Sequence, residues 1–198
     1  MIEIQAYCSS IELYPTDNLA YESLNKILLG IDRFDFVCYI HDPNINQGQM
    51  TSDLDERLEQ AVLSQGAVSH RLDLPPEIPQ QLDFAFRYND SVVAVEVEKT
   101  NREKILRDIL KAHMYLNSGA DYALLALPKN YSHRHGVWNL YEFGVQRFRE
   151  CRTYGFGTEE RLGRILLLGF EQFDTGTKTQ LDSDWRMKVR LRAKNTQG

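Results

Sequence analysis

The residues with the clearest chemical potential are Asp83, Glu96 and Glu98, arranged D-x12-E-x-E in the segment LDFAFRYNDSVVAVEVEK. Glu96 and Glu98 stand two apart in a run of β-branched residues. On an extended strand they share a face with Val92 and Ala94, while Val93, Val95, Val97 and Lys99 take the other. Like charges side by side on an apolar strand repel and lose hydration, and a divalent cation offsets both costs. Carboxylate oxygens around such a cation would acidify a bound water and neutralise charge on a phosphate, which is what phosphodiester hydrolysis needs. The plainer alternative is a solvated edge strand whose glutamates pair with Arg87 or other cations. Short patterns of this kind are common, and the residues alone leave both readings open.

These side chains need a scaffold. Leu82 to Tyr88 and Val92 to Val97 read as two strands joined by a turn at Asn89-Asp90. Thr100 to Glu103 has the form of a capping box and starts a helix whose apolar stripe is Ile105, Leu106, Ile109, Leu110, His113 and Met114. Arg102, Lys104, Arg107 and Lys111 are expected on its outer face. The helix stops near Ser118-Gly119, and Tyr122 to Leu127, apolar throughout, suits a central buried strand.

The order aspartate, strand, E-x-E strand, helix, strand resembles the PD-(D/E)XK nuclease superfamily, in the BamHI and BglII group of type II restriction endonucleases, where a glutamate stands at the usual lysine position. The resemblance covers residues 68 to 130. It departs from the family pattern in having Gln81-Leu82 before Asp83, with Pro79 only nearby, and a lysine one residue late at Lys99. The resemblance implies an α/β restriction-endonuclease-like fold, a mixed central β-sheet flanked by helices, formed by residues 1–198 as one domain. It implies magnesium, with manganese able to substitute, held by Asp83, Glu96 and the carbonyl of Val97. Glu98 would orient or deprotonate the attacking water. A homodimer acting on double-stranded DNA follows from the same analogy. Alternatives are a repair or mobile-element nuclease, or an inactive DNA-binding or interaction module on the same fold.

Composition sets bounds on these readings. At 198 residues and 42% hydrophobic the chain supports one sizeable core, and a net charge of −5 disfavours indiscriminate coating of nucleic acid. Cys8, Cys38 and Cys151 form an odd, widely spaced set with neither disulfide nor zinc spacing, so a reducing cytoplasm is expected. No leader segment and no membrane span are expected. The chain lacks a phosphate-binding glycine loop, a G-x-S-x-G elbow and an H-E-x-x-H helix.

Upstream of the hairpin, Ile2 to Ser9 reads as an edge strand, Thr16 to Ile31 as a helix and Phe34 to Ile40 as a strand. A polar loop runs from Asn44 to Met50, and a second helix from Thr51 or Ser52 to Ser64 carries an acidic face. Its Glu56 or Glu59 is a minor candidate for a further carboxylate at the metal, as is Glu77 in the proline-stiffened loop that follows a strand at Val68 to Leu74. Downstream, Trp138 to Cys151 reads as a helix and Ile165 to Phe170 as a strand.

Two segments have the composition of DNA contacts. Lys129, Asn130, His133 and Arg134 lie in a loop with cations and hydrogen-bonding side chains. Arg186, Lys188 and Arg190 recur at alternate positions, so an extended strand would line them along one face to follow a phosphate backbone. An edge strand guarded by cations is the competing account of that stripe.

Overall fold

The computed structural model describes residues 2–14, 22–40, 50–75, 82–99, 102–133, 136–182 and 185. Period-two apolar runs dominate these segments, and they assemble into one mixed sheet of eight strands in the order β3-β2-β1-β10-β7-β6-β5-β4. The strands are β1 (Ile2–Tyr14), β2 (Arg33–Ile40), β3 (Met50–Ser52), β4 (Val68–His70), β5 (Phe84–Tyr88), β6 (Ser91–Val97), β7 (Tyr122–Pro128) and β10 (Ile165–Asp174). At the centre β6, β7 and β10 run parallel, and the outer pairings are antiparallel. The two edge strands are only three residues long, which limits the row of unpaired backbone groups they expose.

Helices cover both faces, as the expected α/β class requires. On one face α1 (Glu22–Leu29) and α2 (Leu54–Ser64) bury Leu24, Leu28, Leu54, Leu58 and Val62 against Val93, Val95, Leu124 and Leu166. On the other, α3 (Lys104–Asn117), α4 (Leu140–Thr153) and the short α5 (Glu159–Leu162) bury Ile105, Ile109, Phe148 and Leu162 against Ala123, Leu125 and Leu167. Each buried Leu, Ile or Phe contributes about 1.5–3 kcal/mol. β7 supplies apolar side chains to both layers, so its sequence shows no alternation. Gly144 lets α4 approach it, since a Cβ there would clash with Leu127 Cδ1.

Several elements differ from their expected form. β1 is interior, paired with β2 on one side and β10 on the other, and reaches Tyr14 through a register shift between Ser9 and Glu12 where Ser10 has φ 54°. Its polar residues made it look like an edge. α2 begins later than Thr51 or Ser52, because Asp53 is spent on holding the helix to β2, its Oδ1 accepting from the Val37 amide at 2.6 Å. β4 is shorter than Val68 to Leu74, and β10 extends past Phe170 to Asp174. A small hairpin, β8 (Tyr131–His133) with β9 (Gly136–Trp138), occupies part of the expected loop and start of α4. The helix expected over Thr16 to Ile31 is present at Glu22–Leu29, while residues 15–21, Glu77 and Thr100 lie outside the described residues.

The largest difference concerns α3. Its buried residues are Ile105, Asp108, Ile109, Lys111, Ala112, Tyr115 and Leu116, while Leu106 and Leu110 are exposed. The helix is thus rotated from the orientation that its most apolar stripe suggests, and Lys111 faces inward rather than out. Among the described residues no helix is long and apolar enough to cross a membrane.

Candidate active site

The site forms where β6 runs out beside β7. The β5–β6 hairpin turns at Asn89, with φ 51°, and pairs Tyr88 with Ser91 and Phe84 with Val95. Continuing that register by one step sets Asp83 opposite Glu96. Asp83 Oδ2 accepts from the Val97 amide at 2.7 Å, so the carboxylate is anchored at the end of the ladder. On the other side Glu96 pairs with Leu125 of β7, and the Glu98 amide donates to the Ala126 carbonyl at 3.1 Å. The expected sharing of one face by Glu96 and Glu98 is met, and that face is covered by α3.

Both glutamates are buried. Glu96 is held by two side chains of α3: Tyr115 Oη donates to Oε1, and Lys111 Nζ lies 2.5 Å from Oε2. Burial, followed by the hydrogen bond to Glu96 and its charge, raises the Tyr115 phenol and keeps it protonated as a donor. Glu98 is hydrogen-bonded to Asp108, one turn before Lys111 on the helix. Burial pushes the Asp108 carboxyl up to about 7, helped by the charge and hydrogen bond of Glu98 and the charge of Glu96, with Arg107 opposing. The remaining Asp108 oxygen, Oδ2, is buried without a hydrogen-bond partner among the described residues.

Asp83 is exposed as a whole residue, yet the surrounding protein partly buries its carboxylate. That burial pushes it up to about 6. The Val97 amide opposes the rise, Glu96 and Asp55 add to it, and Lys99 opposes it. Lys99 leaves the opposite face of the strand, as its position predicts, and meets Asp55 of α2 at 2.5 and 2.6 Å. The acidic residue that α2 brings near the site is therefore Asp55. Glu56 is exposed, and Glu59 accepts from Ser69 Oγ at 3.1 Å.

Around these carboxylates Lys99 pairs with Asp55, Lys111 with Glu96, and Arg107 approaches Asp108 at 3.4 Å. Carboxylate oxygens are the hard donor type that a magnesium-sized cation takes. Among the described residues, however, no three His, Cys, Asp or Glu side chains are gathered to hold a metal ion as they stand. Lys111 and Tyr115 already engage Glu96.

The expected DNA contacts fare unevenly. Lys129 is paired with Glu12, and its ammonium lies 5.7 Å from the Tyr141 ring centroid. It borders an open groove of about 590 Å³ shared with Asn139, Tyr141 and Arg149. Asn130 is corrected to a structural residue. It is buried, its Nδ2 donates to the Gln172 carbonyl at 2.8 Å, and its Oδ1 accepts from the Gln172 amide at 2.7 Å, so it has little left for a base edge. His133 lies on β8 with its side chain outside the described set, and Arg134, Arg186, Lys188 and Arg190 fall outside the described residues altogether.

Sequence reasoning missed Asp108, Lys111 and Tyr115. Their signal is a polar stripe at i, i+3 and i+7 running alongside Ile105, Ile109, Ala112 and Leu116, on the helix that follows directly after a strand with two glutamates in need of partners.

No family model and no curated protein matches the chain. Among solved structures it is similar to one titled "Crystal structure of free BglII", at 12% sequence identity over 92% of this chain and 93% of that chain, with a TM-score of 0.39. At that level the geometry of the carboxylate cluster itself has to carry the chemistry.

Proposed function

We propose that this chain is a metal-dependent endonuclease of double-stranded DNA, a type II restriction endonuclease working as a cytoplasmic homodimer. The observation that carries the reading is the anchoring of Asp83 on the Val97 amide, opposite Glu96, at the end of the ladder. Magnesium, or manganese in its place, bound by Asp83, Glu96 and the Val97 carbonyl, would supply an acidified water and neutralise charge on the phosphate. The chain's own groups have distinct tasks. The Val97 amide fixes Asp83, Tyr115 and Lys111 orient the Glu96 carboxylate, and Glu98 orients the attacking water or takes its proton. Lys129, His133, Arg134, Arg186, Lys188 and Arg190 are the proposed phosphate and base contacts. Repair or mobile-element cleavage would use the same chemistry on other substrates.

One observation favours a second reading. Both Glu96 oxygens are engaged by side chains of the same helix, as in a purely structural ion pair, and a catalytically silent DNA-binding module would have no use for a metal there. Incubating the protein with mixed unmethylated DNA and magnesium, beside Asp83→Ala and Glu96→Ala, separates the two. Discrete fragments lost in both variants support the restriction nuclease, and a smear lost in both supports a non-specific nuclease. Intact DNA across metals and salt, with DNA still bound, supports the module.

A further inference from the structure

Resting on the reading of this chain as a protein of double-stranded DNA, we propose that Glu12 is a base-reading residue. Its carboxylate, held by Lys129 and Tyr141 in the groove beside α4, accepts a hydrogen bond from the exocyclic amine of a cytosine. Three observations point to this role.

First, the backbone is bent to bring Glu12 here. Before the register shift in β1, Ala6 and Cys8 pack into the layer under α1 and α2. After it Leu13 does so, which turns Glu12 and Tyr14 to the side of α4. The extra residue that reverses the alternation lies beside Ser10, whose φ of 54° is rare for a residue with a side chain. Without it Glu12 would face the other layer.

Second, the groove is built around that carboxylate. Lys129 Nζ and the Tyr141 hydroxyl both bind it, and burial, then the charge and hydrogen bond of Glu12, raise the Tyr141 phenol and keep it a donor. The Lys129 side chain is 17% exposed and Tyr141 is buried, whereas the Glu12 side chain is 48% exposed. Two covered donors thus present an accessible acceptor. Gly169 makes room for them, since a Cβ there would lie 2.8 Å from the Tyr141 ring and 3.1 Å from Lys129 Cε. Glu12, Glu142 and Glu171 line the groove with Lys129 and Arg149, so among the described residues carboxylates outnumber cations and a phosphate is repelled. A cytosine offers the major groove a single donor, N4, and a carboxylate accepts from it. Adenine sets its N7 acceptor beside its amine, and guanine and thymine present no donor there.

Third, the groove and the carboxylate cluster share one row of the sheet. Glu12 pairs with Gly169 on β10, and Gly169 with Leu127 on β7. Continuing the pairing of Val97 with Ala126 by one step sets Glu98 beside Leu127. Glu12 and Glu98 therefore lie three strand spacings, about 14 Å, apart on the side covered by α3 and α4. That is about four base-pair rises, a span within one duplex.

The test is selection of duplexes from a randomised library by the full-length protein, in metal-free and in CaCl₂ buffer, with the bound DNA sequenced. Wild type should enrich cytosine at one fixed position, and Glu12→Ala should lose about tenfold of that preference while other positions keep theirs. Tyr141→Phe, which removes one of the two holding groups, should give a smaller loss at the same position. Should Glu12→Ala not fold, Glu12→Gln decides. It keeps an oxygen for Lys129 and turns a donor to the groove, so cytosine loses its advantage. Unchanged selection in the Glu12 variants, a loss spread evenly over all positions, or no selection by wild type in either buffer overturns the role. Cleavage scored separately on the same proteins keeps the two claims apart. Cleavage with selection unmoved by Glu12 sinks base reading and leaves the nuclease, while a position-specific loss without cleavage leaves base reading on a binding module.

Discussion

Two lysine–carboxylate pairs flank β6, one on each face of the sheet, and their closest contacts are equal at 2.5 Å. Lys99–Asp55, on the α2 side, leaves its side chains 29% and 28% exposed, whereas Lys111–Glu96, under α3, leaves 8% and 9%. Distance therefore says nothing about what each pair does. Water screens the first and can replace either partner, so its formation costs little and its loss costs little. The second has given up hydration on both sides, and each charge is tolerable only because the other is there. A strand that alternates faces has put a dispensable pair on one side and an obligatory one on the other.

The largest effect should come from breaking the obligatory pair on one side only. Glu96→Ala leaves the Lys111 ammonium buried without its partner and should cost about 3–5 kcal/mol of stability, read as a lower urea midpoint in metal-free protein. The change should also abolish any metal-dependent cleavage. A loss within about 1 kcal/mol would mean that Lys111 reaches water, and the contrast between the two faces would collapse. Replacing both partners sharpens the point. Glu96→Leu with Lys111→Leu removes both buried charges, so its stability should return to within about 2 kcal/mol of wild type while cleavage stays lost. A double variant as unstable as Glu96→Ala would show that packing, rather than an orphaned charge, sets the cost.

How far the sequence led depended on whether a side chain's burial is decided locally. The faces of β6 were legible because period two is a property of the strand itself, and it put Glu96 with Glu98 and Lys99 opposite. Asp83 was legible because the Asn89-Asp90 turn fixes the hairpin register. Along α3 the same kind of counting failed. Leu106 and Leu110 outscore Asp108 and Lys111 on any hydrophobic scale, yet the helix turns the polar pair inward, because two buried glutamates on the neighbouring strand must be answered. That requirement lies across a crossover, beyond the reach of a periodicity window. β1 failed in a related way. Glu3 and Gln5 suggested an edge, but strands pair through backbone, and β2 and β10 close on both sides of it.

A pH effect of intermediate size should separate the faces again. In the fold the Asp108 carboxyl is pushed up to about 7, against 3.8 for an ordinary aspartate. Between those values the native state holds a proton that the unfolded chain has released, so stability falls as pH rises through the window. Asparagine carries no such proton. Asp108→Asn should match wild type near about pH 4 and exceed it above about pH 7 by on the order of 2 kcal/mol, measured by thermal melts across pH without metal. Asp83, raised to about 6 but exposed as a whole residue, has the same sign and should give a smaller gain as Asp83→Asn. A gain that persists unchanged to low pH would mean that the carboxyl pair carries no strain from its charge.

The smallest effect belongs to the screened pair. Lys99→Ala removes the ammonium from Asp55, which lies at the first turn of α2, where the helix N-terminus itself favours a carboxylate. Asp55 therefore keeps a favourable environment without its lysine, and the variant should lose no more than about 1 kcal/mol, with less difference still at high salt. Lys99 also lowers the Asp83 carboxyl, so its removal should move any pH–rate profile for cleavage upward along the acid limb. Near-wild-type stability with that displaced limb would assign Lys99 to tuning Asp83 from the far face. A loss as large as that of Glu96→Ala would make the two pairs equivalent despite their difference in burial.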